Sequence, residues 1–499
     1  MTATDDRPTA TTPPAAPSTP QATPATPRPS RDGQRGWFGQ LLLRLHFSAG
    51  LFVGPFILIA ALSGAVYALG PTIEQGLYRH ELTAPSAAAA KPLAEQIDAA
   101  QAYIDRHHPD DTLAAVRPAP EHGATTRVMY AEAGLMDSQD RAVFIDPGTA
   151  EVRGDLLVYG TSGALPFRTW VDTFHRSLFL GDVGRLYSET AASWLGVVSL
   201  AGLGLWVARI RKTRAKRDMV RPARRVRGYR RTSSWHASTG VWLLLGALFL
   251  SATGITWSQY GGANVDQLRA ALSWGTPTLD TALPDAGTAP ARAEHAAHHA
   301  PAAAAGAGSA SVTPAEFDDV LTAAEHANIH SSEVQITPPT SADQAWTVAE
   351  IKRSYPTAVN SVAIDPRDMS VVSETDFDTY SLPAKLARWG IDTHMGTMWG
   401  LPNQILLFVT ALGIAVMVVF GYVMWWQRRP TGGRVGRAPA AGALAKAPWW
   451  GSGLVAVGAI VIGAFLPALG VTLLAFVVAD VLLTSRSRPP RATPTPPGR

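Results

Sequence analysis

The chain has 499 residues, 46% hydrophobic and only 16% charged, with a formal net charge of +4. Charge this sparse, against roughly 25% in soluble domains, combined with several apolar runs near the ~20 residues a bilayer requires, excludes an ordinary soluble protein. Cysteine is absent, which excludes disulfides, thiolate-held iron–sulfur clusters, C-x-x-C-H haem attachment and a cysteine nucleophile.

Residues 1–36 are rich in Pro, Thr and Ala with no apolar period, and are expected to be a disordered cytoplasmic tail. The first apolar stretch, 37–69, is too long for a signal-peptide core and is expected to anchor the chain as a first span. An outer segment, 70–188, follows. It shows a helical pattern over about 93–108, alternating strands at Arg127–Tyr130 and Ala142–Ile145, and a turn at Asp146-Pro147-Gly148. Span two is expected at 189–208, a basic loop at 209–234 and span three at 235–257. The second outer segment, 258–402, repeats the plan of the first. A helix is expected over about 314–327, strands near 333–337, 345–351 and 359–364, and an Ala/Gly/Pro/His-rich linker over 282–312. Span four is expected at 403–426, a cytoplasmic loop at 427–448, a hairpin of two short spans at 449–484 broken near Pro467, and a tail at 485–499. The fold class is thus a mainly α membrane protein. Its four-helix transmembrane core is built from two tandem repeats, each with a small α+β extracytoplasmic domain, and a C-terminal transmembrane hairpin is appended.

Charge sets the expected topology. Between Arg209 and Arg231 lie twelve Lys/Arg and one acid, Asp218, and basic residues in short loops stay cytoplasmic. Arg31, Arg35 and Arg44 before span one agree, as do Arg428, Arg429, Arg434 and Arg437 after span four. The protein is therefore expected to be multi-pass in a bacterial cytoplasmic membrane with its N-terminus inside. Lipid headgroups account for the basic loop without a nucleic-acid partner.

The tandem repeat is read from matched offsets. Ser, Gly, a hydroxyl–Gly pair and an aromatic follow His46 as Ser48, Gly50, Ser63-Gly64 and Tyr67; they follow His236 at the same spacings as Ser238, Gly240, Thr253-Gly254 and Trp257. His175 precedes Trp206 and Arg209 as His394 precedes Trp425 and Arg428, and Ile-Asp-Pro stands at one common distance before each, at Asp146 and Asp365. Ionisable residues at membrane depth are costly and are functional candidates, and neutral imidazole suits iron. His46, His236, His175 and His394 are therefore candidate metal ligands and axial donors to two haem b groups. His46 would pair with His236 at the cytoplasmic side and His175 with His394 at the outer side. Bis-His ligation leaves no open iron position and favours electron transfer. The alternative for each is an interfacial histidine satisfied by water or a carbonyl.

A continuous helix from His394 to Trp425 would run roughly 47 Å at 1.5 Å per residue, so breaks are expected at Gly400-Leu401-Pro402 and at Gly181–Gly184. The hydroxyl–Gly pairs admit either close helix packing or close porphyrin approach. Trp206, Trp257, Trp425 and Trp426 suit an interfacial belt. Arg168, Arg176 and Arg185 are either surface charge or partners of haem propionates or an anionic chelate. His295, His298 and His299 in the linker are either metal-gathering or solvated. No catalytic side chain is assigned. Without a G-x-G-x-x-G after a strand or a P-loop, electrons would have to come from a separate cytoplasmic reductase or from quinol.

The ordered set Leu45-His46, Phe174-His175-Arg176-Ser177-Leu178-Phe179, Trp235-His236 and Thr393-His394-Met395-Gly396 resembles the PepSY-associated transmembrane family over about 37–430. That group includes iron-regulated membrane proteins and ferric-siderophore reductases. The resemblance implies a di-haem b membrane protein passing electrons outward to a ferric chelate for iron acquisition. The outer segments also resemble modules that bind or restrain peptidases, so a non-redox membrane regulator or sensor is the alternative. A transporter fits less well, because the repeats are parallel rather than inverted.

Overall fold

The structure, a computed structural model, describes residue 2 and residues 36–213, 216–223, 225–283, 312–430, 438–440 and 442–486. Almost all of the 282–312 linker with its three histidines, most of both tails, and Arg31, Arg35, Arg434 and Arg437 lie outside the described residues.

The first apolar stretch is not one helix. It forms α1 (Trp37–Phe52) and α2 (Gly54–Ala68), bent by 62° at Val53. Pro55 is the cause: it carries no N–H for the Leu51 carbonyl four residues back. That carbonyl instead accepts a 2.6 Å hydrogen bond from the Tyr422 hydroxyl, so the bend is fixed by another span. Short helices α3 (Gly70–Leu77) and α4 (Arg79–Leu82) lead to α5 (Leu93–His107). Strands β1 (Thr112–Arg117), β2 (Thr126–Ala131), β3 (Gln139–Ile145) and β4 (Val152–Tyr159) follow. Next come α6 (Pro166–Ser177), α7 (Gly181–Ile210), α8 (Tyr229–Thr256), α9 (Tyr260–Ala271) and α10 (Glu316–His326). The second strand set is β5 (Val334–Thr337), β6 (Trp346–Glu350), β7 (Ser361–Ile364) and β8 (Val371–Thr375). Helices α11 (Leu382–His394), α12 (Leu401–Gln427), α13 (Trp449–Phe465) and α14 (Pro467–Arg486) complete the chain.

Helices α7, α8 and α12 are long and apolar enough to cross a membrane, and the bent α1–α2 pair makes a fourth candidate. Small residues set their spacing: Ala49, Ala61, Ala191, Ala247 and Ala415 are all buried where the helices meet, and Ser251 of α8 donates to the Ala192 carbonyl of α7. Helix α14 packs on α7, where Trp194 Nε1 donates to Thr472 Oγ1 at 2.8 Å.

The two strand sets do not make separate outer domains. They join into one eight-stranded antiparallel sheet ordered β4-β3-β2-β1-β5-β6-β7-β8. Equivalent strands β1 and β5 meet at the centre, with Val116 opposite Ile336. Helices α5 and α10 cover one face and share a single core containing Ile97, Ile104, Phe317, Val348, Trp346 and Ile364. One half caps the other: both Asp318 carboxylate oxygens accept from the backbone at the start of α5, from Leu93 and Ala94. Burying two half-sheets against one another hides apolar area that each alone would expose. The Ile-Asp-Pro motifs are structural. Asp146 accepts from the Gly148 amide and Asp365 from that of Arg367, which forms matching hairpin turns in the two halves.

Candidate functional site

On the opposite face of the sheet Tyr78, Leu82 and Leu165 pack against Ala115, Met129, Ala142 and Phe144, and α6 lies against β4. Strand alternation places Ala115 and Arg117, and Arg127 and Met129, on this face, while Val116 and Val128 enter the helix-covered core.

His175 sits in the last turn of α6 and His394 ends α11. Each helix stops before its span begins. After α6 the chain turns through left-handed Leu178 and Phe179, and α7 starts at Gly181. The break therefore falls just ahead of the expected Gly181–Gly184 stretch, whose second glycine serves another purpose. A β-carbon on Gly184 would overlap the Ser177 carbonyl oxygen, so the elbow closes only because that residue has none. In the second half the chain turns between Met395 and Gly400, and Pro402 lies in the first turn of α12.

His175 and His394 line one cavity of about 1140 Å³, counting its open mouth. Its wall is mostly apolar or small, with Ala60, Gly64, Ala191, Ala192, Gly254 and Ala411 leaving the room. Gly64 allows the His175 ring to approach, since a β-carbon there would lie 3.2 Å from Cε1.

Both rings are held by a hydroxyl. His175 Nδ1 lies 2.9 Å from Ser63 Oγ and His394 Nδ1 lies 2.5 Å from Thr253 Oγ1. Each hydroxyl already donates its proton to a carbonyl one turn back, Ser63 to Ile59 and Thr253 to Phe249, at 2.8 Å in both. With its proton on that carbonyl the hydroxyl would accept from the ring, an assignment that would put the hydrogen on Nδ1 and leave Nε2 its lone pair. This is the tautomer of a histidine ready to bind a metal through Nε2 with an oriented outer partner. Tyr67 and Trp257, the matched aromatics of the two halves, also line the cavity, and Trp257 stacks on His394 with 6.3 Å between centres. Trp257 is thus a wall of this cavity.

At the other end of the bundle, His46 of α1 and His236 of α8 face each other with ring centres 6.0 Å apart and planes at 83°. Two imidazoles sharing one ion through bonds of about 2 Å each have centres roughly 6 Å apart; an edge-to-face ring contact spans the same distance. His46 Nδ1 bonds the Val198 carbonyl at 2.9 Å, which again leaves Nε2 with the lone pair. The repeat-equivalent carbonyl, that of Met417, faces His236. It falls short of hydrogen-bond geometry, and Nδ1 of His236 is buried without a partner.

The arginines expected near His175 divide. Arg168 is buried against Glu74 at 3.4 Å. Arg176 pairs with Asp172 at 2.8 Å, Arg185 donates to the Trp257 carbonyl, and both line the cavity. Arg117, Arg127 and Arg353 are close by in space and carry no sequence motif. Burial, and then neighbouring Arg127 and Arg353, push the Arg117 guanidinium down from its usual range, though arginine stays charged. Burial raises the Asp392 carboxyl on α11 against the pull of Arg388 and Arg353.

A bundle of membrane-length helices beside one antiparallel sheet, with His46 facing His236 at one end and His175 and His394 lining a cavity at the other, fits an integral membrane protein. The chain belongs to the family described as the PepSY-associated TM region, whose profile it matches over residues 43–428. All four histidines fall within that stretch, and α13 and α14 lie beyond it. No curated protein matches the chain.

Proposed function

We propose that this chain holds two haem b groups, one between His46 and His236 and one between His175 and His394, and conducts electrons across a bacterial cytoplasmic membrane. The acceptor is an extracytoplasmic ferric complex, ferric siderophores included. The donor is a cytoplasmic reductase or membrane quinol. The observation that carries the reading is that His175 and His394 line one mostly apolar cavity, each with its Nδ1 against a hydroxyl, Ser63 or Thr253.

Bound haem would supply a reversible one-electron couple. The chain does the rest. His46 and His236 would hold one group and His175 and His394 the other, and two imidazoles on each iron would favour electron transfer over oxygen binding. The cavity wall is mostly apolar, and Trp257 packs against His394. The basic loop after α7 keeps the His46–His236 end cytoplasmic, which puts the sheet and the outer cavity on the acceptor's side. Reduction releases iron because Fe²⁺ binds hard oxygen ligands less tightly than Fe³⁺.

Absorption spectra of oxidised and reduced wild type, and of the four single His→Ala variants, test this. Each variant should lose one of two haems, H46A and H236A the same one, and H175A and H394A the other. Purified protein with no visible haem band would overturn the proposal.

A further inference from the structure

The turn between β4 and α6, Gly160-Thr161-Ser162-Gly163, is ringed by four arginines from both halves of the chain. Arg117 donates to the Thr161 carbonyl, Arg168 to the Ser162 carbonyl, and Arg353 to the Thr161 hydroxyl. The Nη1 atoms of Arg117 and Arg127 both crowd the point where a β-carbon on Gly163 would sit. Arg117 and Arg168 are more than nine-tenths buried. Arg168 has Glu74, and Arg353 has Asp392, which is shared with Arg388. Among the described residues Arg117 has no carboxylate within ion-pair distance. Its Nε and Nη2 atoms share the Gln335 amide oxygen, and nothing occupies Nη1. Arg127 lies over Phe144 at 5.4 Å and likewise has no ion-pair partner.

Counting Arg388, five guanidiniums share three carboxylates, Glu74, Asp392 and the Asp140 carboxylate near Arg117, and burying like charges with too little counter-charge is expensive. An excess of guanidinium donors at one turn is the arrangement that receives an anion, and the guanidinium fork matches a planar carboxylate in particular. Position favours a ligand over simple packing. The ring lies beneath the seam joining β1 and β5, where Arg117 of β1 bonds Gln335 of β5. Arg353 also ties the ring, through Asp392, to the helix that ends in His394.

We infer that Arg117, Arg127, Arg168 and Arg353 form a carboxylate-binding collar at the Gly160–Gly163 turn, between the sheet and the outer cavity. The carboxylate has two possible sources: an anionic ligand entering from the sheet side, or a carboxylate arm of a cofactor in the cavity. Only the second rests on the proposed function.

The test uses full-length protein in detergent, with citrate as the probe, comparing wild type with R117Q/R127Q. Citrate binding by calorimetry should be weakened at least tenfold in the variant, the scale of a lost charge-assisted bond, with the visible spectrum unchanged; this assigns the collar to an entering ligand. If wild type ignores citrate and the variant instead loses or shifts one haem signal, the carboxylate is the cofactor's. If neither citrate binding nor spectrum differs, the collar is overturned. Should R117Q/R127Q not fold, wild type still decides: the collar fails if millimolar citrate does not raise its melting temperature at low salt and R353Q leaves the spectrum unchanged. A wild type without haem refutes the porphyrin reading alone, because the citrate arm needs no haem.

Discussion

Removing one hydroxyl should loosen one haem. In S63A the His175 ring loses the only side-chain group bonded to its Nδ1, at 2.9 Å, and in T253V the His394 ring loses its bond at 2.5 Å. Neither change opens much space: alanine removes one oxygen, and valine keeps the shape of threonine. The helices are spared as well, because each hydroxyl's other bond, to a carbonyl one turn back, is not needed for helix formation. A buried hydrogen bond is worth about 1 kcal/mol net. Loss of a ligand's outer partner typically costs about 10–100-fold in affinity, or about 1.4–2.7 kcal/mol. The assay is haem per protein and reduced-minus-oxidised absorption, followed through dilution or competition with apomyoglobin. S63A and T253V should release the same haem faster than wild type, the His46–His236 haem should be unaffected, and S63T should restore retention. Equal haem content and release in wild type and both variants would refute the argument that these hydroxyls set the tautomer.

Gly184→Ala should lower the melting temperature, at a cost of about 1–3 kcal/mol, because the new β-carbon meets the backbone carbonyl of Ser177 and not a movable side chain; an unchanged melt would show that the elbow relaxes freely. Tyr422→Phe should cost about 1 kcal/mol by stranding the Leu51 carbonyl that Pro55 leaves open, and thermal denaturation of the two proteins would measure it. The eight-stranded sheet should lose stability in acid. Burial raises the Asp155 carboxyl, but the hydrogen bonds from Tyr103 and Arg141 outweigh it and hold the group below its usual value. A lowered folded-state pKa gives stability that is present above the ordinary aspartate range and lost as pH falls through the folded value. Near-ultraviolet dichroism should therefore fall below about pH 4, and less steeply in D155N.

The sequence alone determined the apolar segments, because they are local: composition fixes what can lie in lipid. It also placed a break between each outer histidine and its span, since a helix spanning both would outrun the bilayer. Tertiary structure decided what faces what. The bend at Val53 was hidden because Pro55 inside an apolar run reads as tolerable until Tyr422, from a distant span, is seen holding the freed carbonyl. The outer strands read as two domains because local alternation does not reveal that β1 and β5, more than two hundred residues apart, will pair. Ser63 and Thr253 stood out in the sequence as small residues beside glycine. Their hold on His175 and His394 became visible only when helices from different parts of the chain came together. Of the arginine collar only Arg168 stood out in the sequence; Arg117, Arg127 and Arg353 come from two strands and a loop, and only the closed sheet gathers their charges around one turn.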